Sequence, residues 1–265
     1  MSGSFTAYPG AISPGTLFLE AFGRLTRTGG RPGAVLADED LYSVFRARAE
    51  LMGWSALPRS SSSGQVTRPR PALWALHEAE LSDGDGSGRI GWVQAGLGEG
   101  VELAWALPPL VQCCEDALRR FGAVELTGLQ VTASTLPPGG EPGAWDLVSA
   151  LNWFNTAPAG RTEALIAFDS GLLPPGSEVA LLARLQHLNT GSFEFGPLVP
   201  APPEHAITPP EGAALAATLS PAPQGLSVAL PEWSASSAAW VLALVIDLAR
   251  GKDTHNFAVR LTRVR

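Results

Sequence analysis

Apolar residues along this chain recur with two periods, and the switches between them divide it into elements. Phe18, Ala21, Phe22 and Leu25 fall at helical spacing after Ser13-Pro14, a cap residue followed by proline, and Gly29-Gly30 ends the run. This predicts a helix over 14–28. A second helix is predicted over 38–52, where Leu41, Val44, Phe45, Arg48 and Met52 share one side and Gly53 follows. Residues 55–71, rich in serine and proline, read as a polar linker. The apolar runs 73–81 and 90–97 flank the glycine-rich stretch 83–88 as in a hairpin, and 101–107 reads as a third strand of the same meander. Leu110, Cys113, Cys114, Ala117, Leu118 and Phe121 then form a 3.6-residue stripe ended by Gly122, predicting a helix over 109–121 and a strand over 124–132 with a bulge at Gly128.

The second half is more regular. Strand 163–169, a helix from Ser177 through Leu188, strand 192–199, a proline-rich excursion over 200–224, strand 226–230, helix 234–250 and strand 257–264 follow in order. That βαββαβ order is the ferredoxin-like one, with both helices on one sheet face. Phe257, Val259 and Leu261 alternate with Ala258, Arg260 and Thr262, as a strand with one buried face requires. Helix 234–250 is apolar nearly all round, so it is expected to be a central, buried element. The fold class expected is therefore α+β, with two lobes of antiparallel sheet and helices packed on one face of each. An N-terminal lobe spans 1–133, a connector 134–160 and a ferredoxin-like lobe 161–265. Leu103-Ala-Trp-Ala-Leu-Pro108 matches Leu226-Ser-Val-Ala-Leu-Pro231 at four of six positions, each ahead of a helix, which raises the possibility of internal duplication.

Composition narrows the function more than it identifies one. Charged residues make up 16% of the 265 positions, against roughly 25% in an average soluble domain. With eight tryptophans as well, part of the surface is expected to be hidden in a homo-oligomer or against a protein partner. The net charge of −7 includes no concentrated basic face, which argues against nucleic acid as a partner. Lys252 is the only lysine beside seventeen arginines, the bias of a GC-rich bacterial genome. The first residues lack a basic start and apolar core, and no apolar run reaches the roughly 18 residues of a spanning helix. A cytoplasmic protein without membrane association is expected. Cys113 and Cys114 are adjacent and within the apolar stripe, so they are expected to be buried, inert thiols and not a disulfide.

Several constellations carry possible chemistry. Asp83, Asp85 and Ser87 occupy positions 1, 3 and 5 of a twelve-residue loop with Gly88 at position 6, which resembles the calcium loop of the EF-hand family. Gln94 stands where that family has its bidentate glutamate, and a glycine-rich segment replaces the exiting helix. The hairpin turn is the expected role, with no metal and no cofactor. The glycines at 96, 98 and 100 precede a predicted strand and not a helix, so they read as a turn and not a phosphate loop. Four histidines, at 77, 187, 205 and 255, have no metal-ligand spacing. Glu78 and Glu80 share a strand face as a hydrated acid pair. Trp74, Trp92 and Trp105, on three successive predicted strands, line one sheet face in this reading. The leading functional expectation is a non-catalytic interaction or assembly protein. The alternative is a small-molecule enzyme with an aromatic-lined pocket between the two lobes, its first candidates being His187 and Asp169 for catalysis and Trp105 and Trp153 for ligand binding.

Overall fold

The computed structural model describes residues 16–27, 39–55, 73–82, 88–98, 101–134, 154, 161–169, 176–188, 191–202, 205, 207, 224–249 and 257–264. In chain order the elements are β1 (Thr16–Arg27), α1 (Leu41–Leu51), β2 (Trp74–Leu81), β3 (Arg89–Leu97), α2 (Leu103–Arg119) and β4 (Gly122–Ser134). Then follow β5 (Thr162–Phe168), α3 (Glu178–Leu188), β6 (Glu194–Pro200), β7 (Gln224–Leu230), α4 (Ala235–Ala249) and β8 (Phe257–Arg263). The strands join in one eight-stranded sheet of order β2-β3-β1-β4-β8-β5-β7-β6, antiparallel at every neighbouring pair. The protein is therefore of mixed α+β class. β1–β4 and β5–β8 repeat the same order of elements, and each half places its last strand beside its first and its third beside its second. The halves meet where β4 pairs with β8, in the register Val131 to Val259.

Alternate residues give the sheet two faces. Leu19, Val93, Val131, Val259 and Ile166 belong to the face that joins the helices in one hydrophobic core. α1 packs on α2, α2 on α4, and α4 on α3, so the helices form a continuous layer across both halves. As its sequence implies, α4 is the most enclosed of them: Val241, Leu242, Ala243, Leu244 and Val245 are all fully buried. Ser234 and Ser237 cap its start reciprocally, Ser237 N donating to Ser234 Oγ (3.1 Å) and Ser234 N to Ser237 Oγ (3.3 Å). Arg184 of α3 donates to the Leu248 carbonyl near its end (3.1 Å).

Three sequence expectations are corrected. The helix predicted over 14–28 is strand β1, whose residues Thr16 to Phe22 are buried on both faces. A strand in the middle of a covered sheet is a nearly continuous apolar run, and periodicity alone does not separate that from a helix. The strand predicted over 101–107 is the first turn of α2, which begins before Pro108-Pro109. Trp105 N and Ala106 N donate to Glu102 O, and Leu103, Ala104, Ala106 and Leu107 are buried, so packing outweighs the two missing proline amides. The matched hexapeptides consequently lie in unlike places, one in a helix and the other in β7. Finally, the three tryptophans do not share a sheet face. Trp74 packs with Phe45 and Trp54 in the helix-side core, Trp92 stacks on Phe18 in the opposite face, and Trp105 is on α2.

The glycine bulge lies beside the position expected at Gly128. β1 and β4 slip register between Phe22 and Gly23, where Gly23 has φ +150°. A Cβ there would sit 2.0 Å from the Glu125 carbonyl oxygen, so only glycine fits. Trp233, just before α4, donates its indole N–H to Leu126 O beside this bulge (2.6 Å) and so ties the second half to β4.

Candidate functional site

Two places concentrate polar groups among the described residues. The first is a row across the sheet face opposite the four described helices. Paired registers set Trp92, Glu20, Gln130 and Arg260 side by side on β3, β1, β4 and β8. Arg89 Nη1 donates to Glu20 Oε1 (2.9 Å) and Gln130 Nε2 to Glu20 Oε2 (2.6 Å). The Arg260 guanidinium carbon lies 3.9 Å from the centre of the Phe22 ring. Burial pushes the Glu20 carboxyl above its ordinary range, outweighing the attraction of Arg89 and Arg260 and the bond from Gln130. Burial likewise lowers Arg260 against the opposing pull of Glu20. Here one buried acid binds side chains from two neighbouring strands, which fixes the register of β1, β3 and β4. The expectation that β8 has one buried face is corrected by this row: Ala258 and Arg260 are buried as well as Val259.

The second place is a groove of about 720 Å³ between α1 and α2, on the outside of the helix layer. Asp40 positions α1 through a capping box: its carboxylate accepts from Ser43 N (2.7 Å), while Asp40 N donates to Ser43 Oγ (3.1 Å). Those bonds hold the Asp40 carboxyl below its usual range. Apolar lining comes from Val44, Ala47 and Leu51 of α1 and Ala117 of α2; charged lining comes from Glu39, Arg48, Asp116 and Arg120. Arg48 Nε donates to Asp116 Oδ2 across the groove (2.8 Å), and Arg120 lies 3.9 Å from Glu39 at its other end. Leu51 is 82% exposed and its neighbour Met52 is also exposed. The two side chains border the groove with open apolar surface.

The residues singled out from the sequence are scattered. Asp169 is buried just after β5, its amide donating to Ala258 O (3.1 Å). His187 is exposed in the last turn of α3, which runs back antiparallel to β5, so the two lie toward opposite ends of that unit. Trp105 meets Trp240 edge-to-face at 6.2 Å, joining α2 to α4 on the outside of the helix layer. Trp153, Asp83, Asp85 and Ser87 lie outside the described residues. Cys113 and Cys114 are buried free thiols, and burial pushes both up to about 12. Among the described residues no three His, Cys, Asp or Glu side chains gather as metal ligands, and no described helix is long and apolar enough to cross a membrane.

Sequence reasoning missed both places. Glu20 lies in a segment that reads as a helix, Arg89 lies inside the calcium-loop-like stretch without a ligand's role there, and Gln130 carries no motif. The groove pairs residues 68 apart in sequence, Arg48 and Asp116, each of which alone reads as an ordinary surface charge. Compared with known protein families, curated proteins and solved structures, the chain matches none.

Proposed function

We propose that this chain is a non-catalytic interaction and assembly protein that docks protein on its α1–α2 face. The observation that carries the reading is the groove there, apolar in its lining, edged by both charge signs and flanked by the exposed Leu51. Groove recognition of this kind needs an apolar strip for affinity and charges at its edge for orientation. The low charge of the whole chain agrees with a surface partly hidden in a homo-oligomer or complex. In the same reading the two halves are ferredoxin-like units that arose by duplication in a GC-rich bacterial genome. What supports duplication is the repeated order of elements and strands, since the matched hexapeptides are not equivalent in space.

The alternative, an enzyme with a pocket between the halves, has less support. α2 and α4 fill that seam with buried side chains, and a void among α2, β1, β4 and the start of α4 measures about 10 Å³, hardly room for one water.

The docking reading is tested in extracts of the cells that make the protein, at native abundance. The chain is expected to travel in an assembly heavier than its own 27.7 kDa. Leu51→Asp is expected to release it, whereas Val179→Asp, at a 71% exposed position on α3, leaves the assembly intact. A chain that travels alone, or an assembly indifferent to Leu51→Asp, contradicts the proposal.

A further inference from the structure

We infer that the occupant of the α1–α2 face is a second copy of this chain, related by a twofold axis running along the groove. The inference rests on the docking reading and adds the partner's identity. Its basis is the arrangement of four charges. α1 and α2 run antiparallel, so Glu39 faces Arg120 at one end of the groove and Arg48 faces Asp116 at the other. Signs therefore alternate both along each helix and across the groove.

Such a pattern is complementary to itself. A twofold axis along the groove sets each helix opposite the other helix of the second copy at the same level. Glu39 then meets the partner's Arg120, and Arg48 meets the partner's Asp116. The same operation returns the reciprocal pairs, as an isologous contact requires. All four corners find the opposite sign, and no like charges meet. Glu39 and Arg120 have room to re-pair, since their separation of 3.9 Å is too long for a hydrogen bond and the Arg120 side chain is 54% exposed, while Arg48 and Asp116, already bonded at 2.8 Å, would share that bond with the partner. The axis along the groove also lays Leu51 over the partner's α2. An axis across the groove would carry Leu51 beyond the described start of the partner's α1, whereas the axis along it sets Leu51 on a described helix, so the first arrangement is the one proposed.

The test uses the purified full chain in size-exclusion chromatography with light scattering at rising concentration. The wild type is expected to reach about twice 27.7 kDa. Arg120→Glu alone and Glu39→Arg alone are each expected to run as monomers, because each sets like charges at two corners of the pair. Mixing the two variants is expected to restore a dimer, since every corner is complementary again. Leu51→Asp, at a position open to solvent, is expected to give a folded monomer even if a charge reversal harms folding. A wild type that stays monomeric, a dimer indifferent to the single reversals, or a mixture that fails to re-form it each overturns the inference. A monomeric purified chain that still loses a larger native assembly on Leu51→Asp would overturn self-pairing and leave the docking reading intact.

Discussion

At the scale of single residues the informative positions are those where two demands conflict. Glu20 is the clearest. Its carboxyl is raised above the ordinary value of 4.5, so the folded state holds that proton more tightly than the unfolded chain does. Its contribution to stability therefore falls as pH rises from 4.5 through the raised value. The difference between wild type and Glu20→Gln in urea midpoint against pH isolates that slope, because the other carboxylates cancel. Asp40 has the opposite sign: held below 3.8, it adds stability above that value that is lost as pH falls through its lowered range. Glu20→Ala, which removes the acid that accepts from both Arg89 and Gln130, is expected to cost about 1–3 kcal/mol in urea unfolding. The cysteines test burial by reactivity. With both thiols pushed up to about 12 by desolvation, neither is expected to react with a thiol reagent at neutral pH until denaturant is added. Their burial was legible in the sequence from the apolar stripe that contains them. Glu20 was not legible, because its acid lies amid a run of large apolar residues and only strand pairing supplies its partners.

At the scale of elements, legibility depended on how many faces each one buries. α1 and α2 have one wet side, so their stripes were plain, and α4 showed itself by being apolar all round. β1 buries both faces, and its Phe18, Ala21 and Phe22 mimicked a helical stripe. Pro108-Pro109 was a misleading stop signal, because tertiary burial of one extra turn outweighed two lost amides. α4 provides the sharpest stability test. Leu244→Ala removes a fully buried side chain of the hydrophobic core, and is expected to cost about 2–5 kcal/mol. Leu51→Ala, 82% exposed, is expected to change stability by less than about 0.5 kcal/mol. Comparable losses in urea unfolding would contradict the assignment of one to the core and the other to a surface. Gly23→Ala is expected to cost more than an ordinary surface change, since the new methyl meets the Glu125 carbonyl, and its melting temperature checks it.

At the scale of the whole molecule, one sheet and one helix layer unite the two halves through the β4–β8 pairing, the α2–α4 contact and the Trp233 bond to Leu126. The α+β class was readable from element order. The joining of the strands into a single sheet was not, because pairing between edge strands leaves no periodicity in either one. The groove was equally invisible, since it exists only where α1 lies against α2. The central claim is that this groove is where a protein binds. Its most direct test is a photo-crosslinking residue placed at Leu51 and, separately, at Val179, with irradiation in the living cells that make the protein. Both positions are solvent-open in the lone chain, at 82% and 71%. The account expects a discrete protein adduct from position 51 and none from position 179. Absence of an adduct at 51, or equal adducts at both, would contradict it.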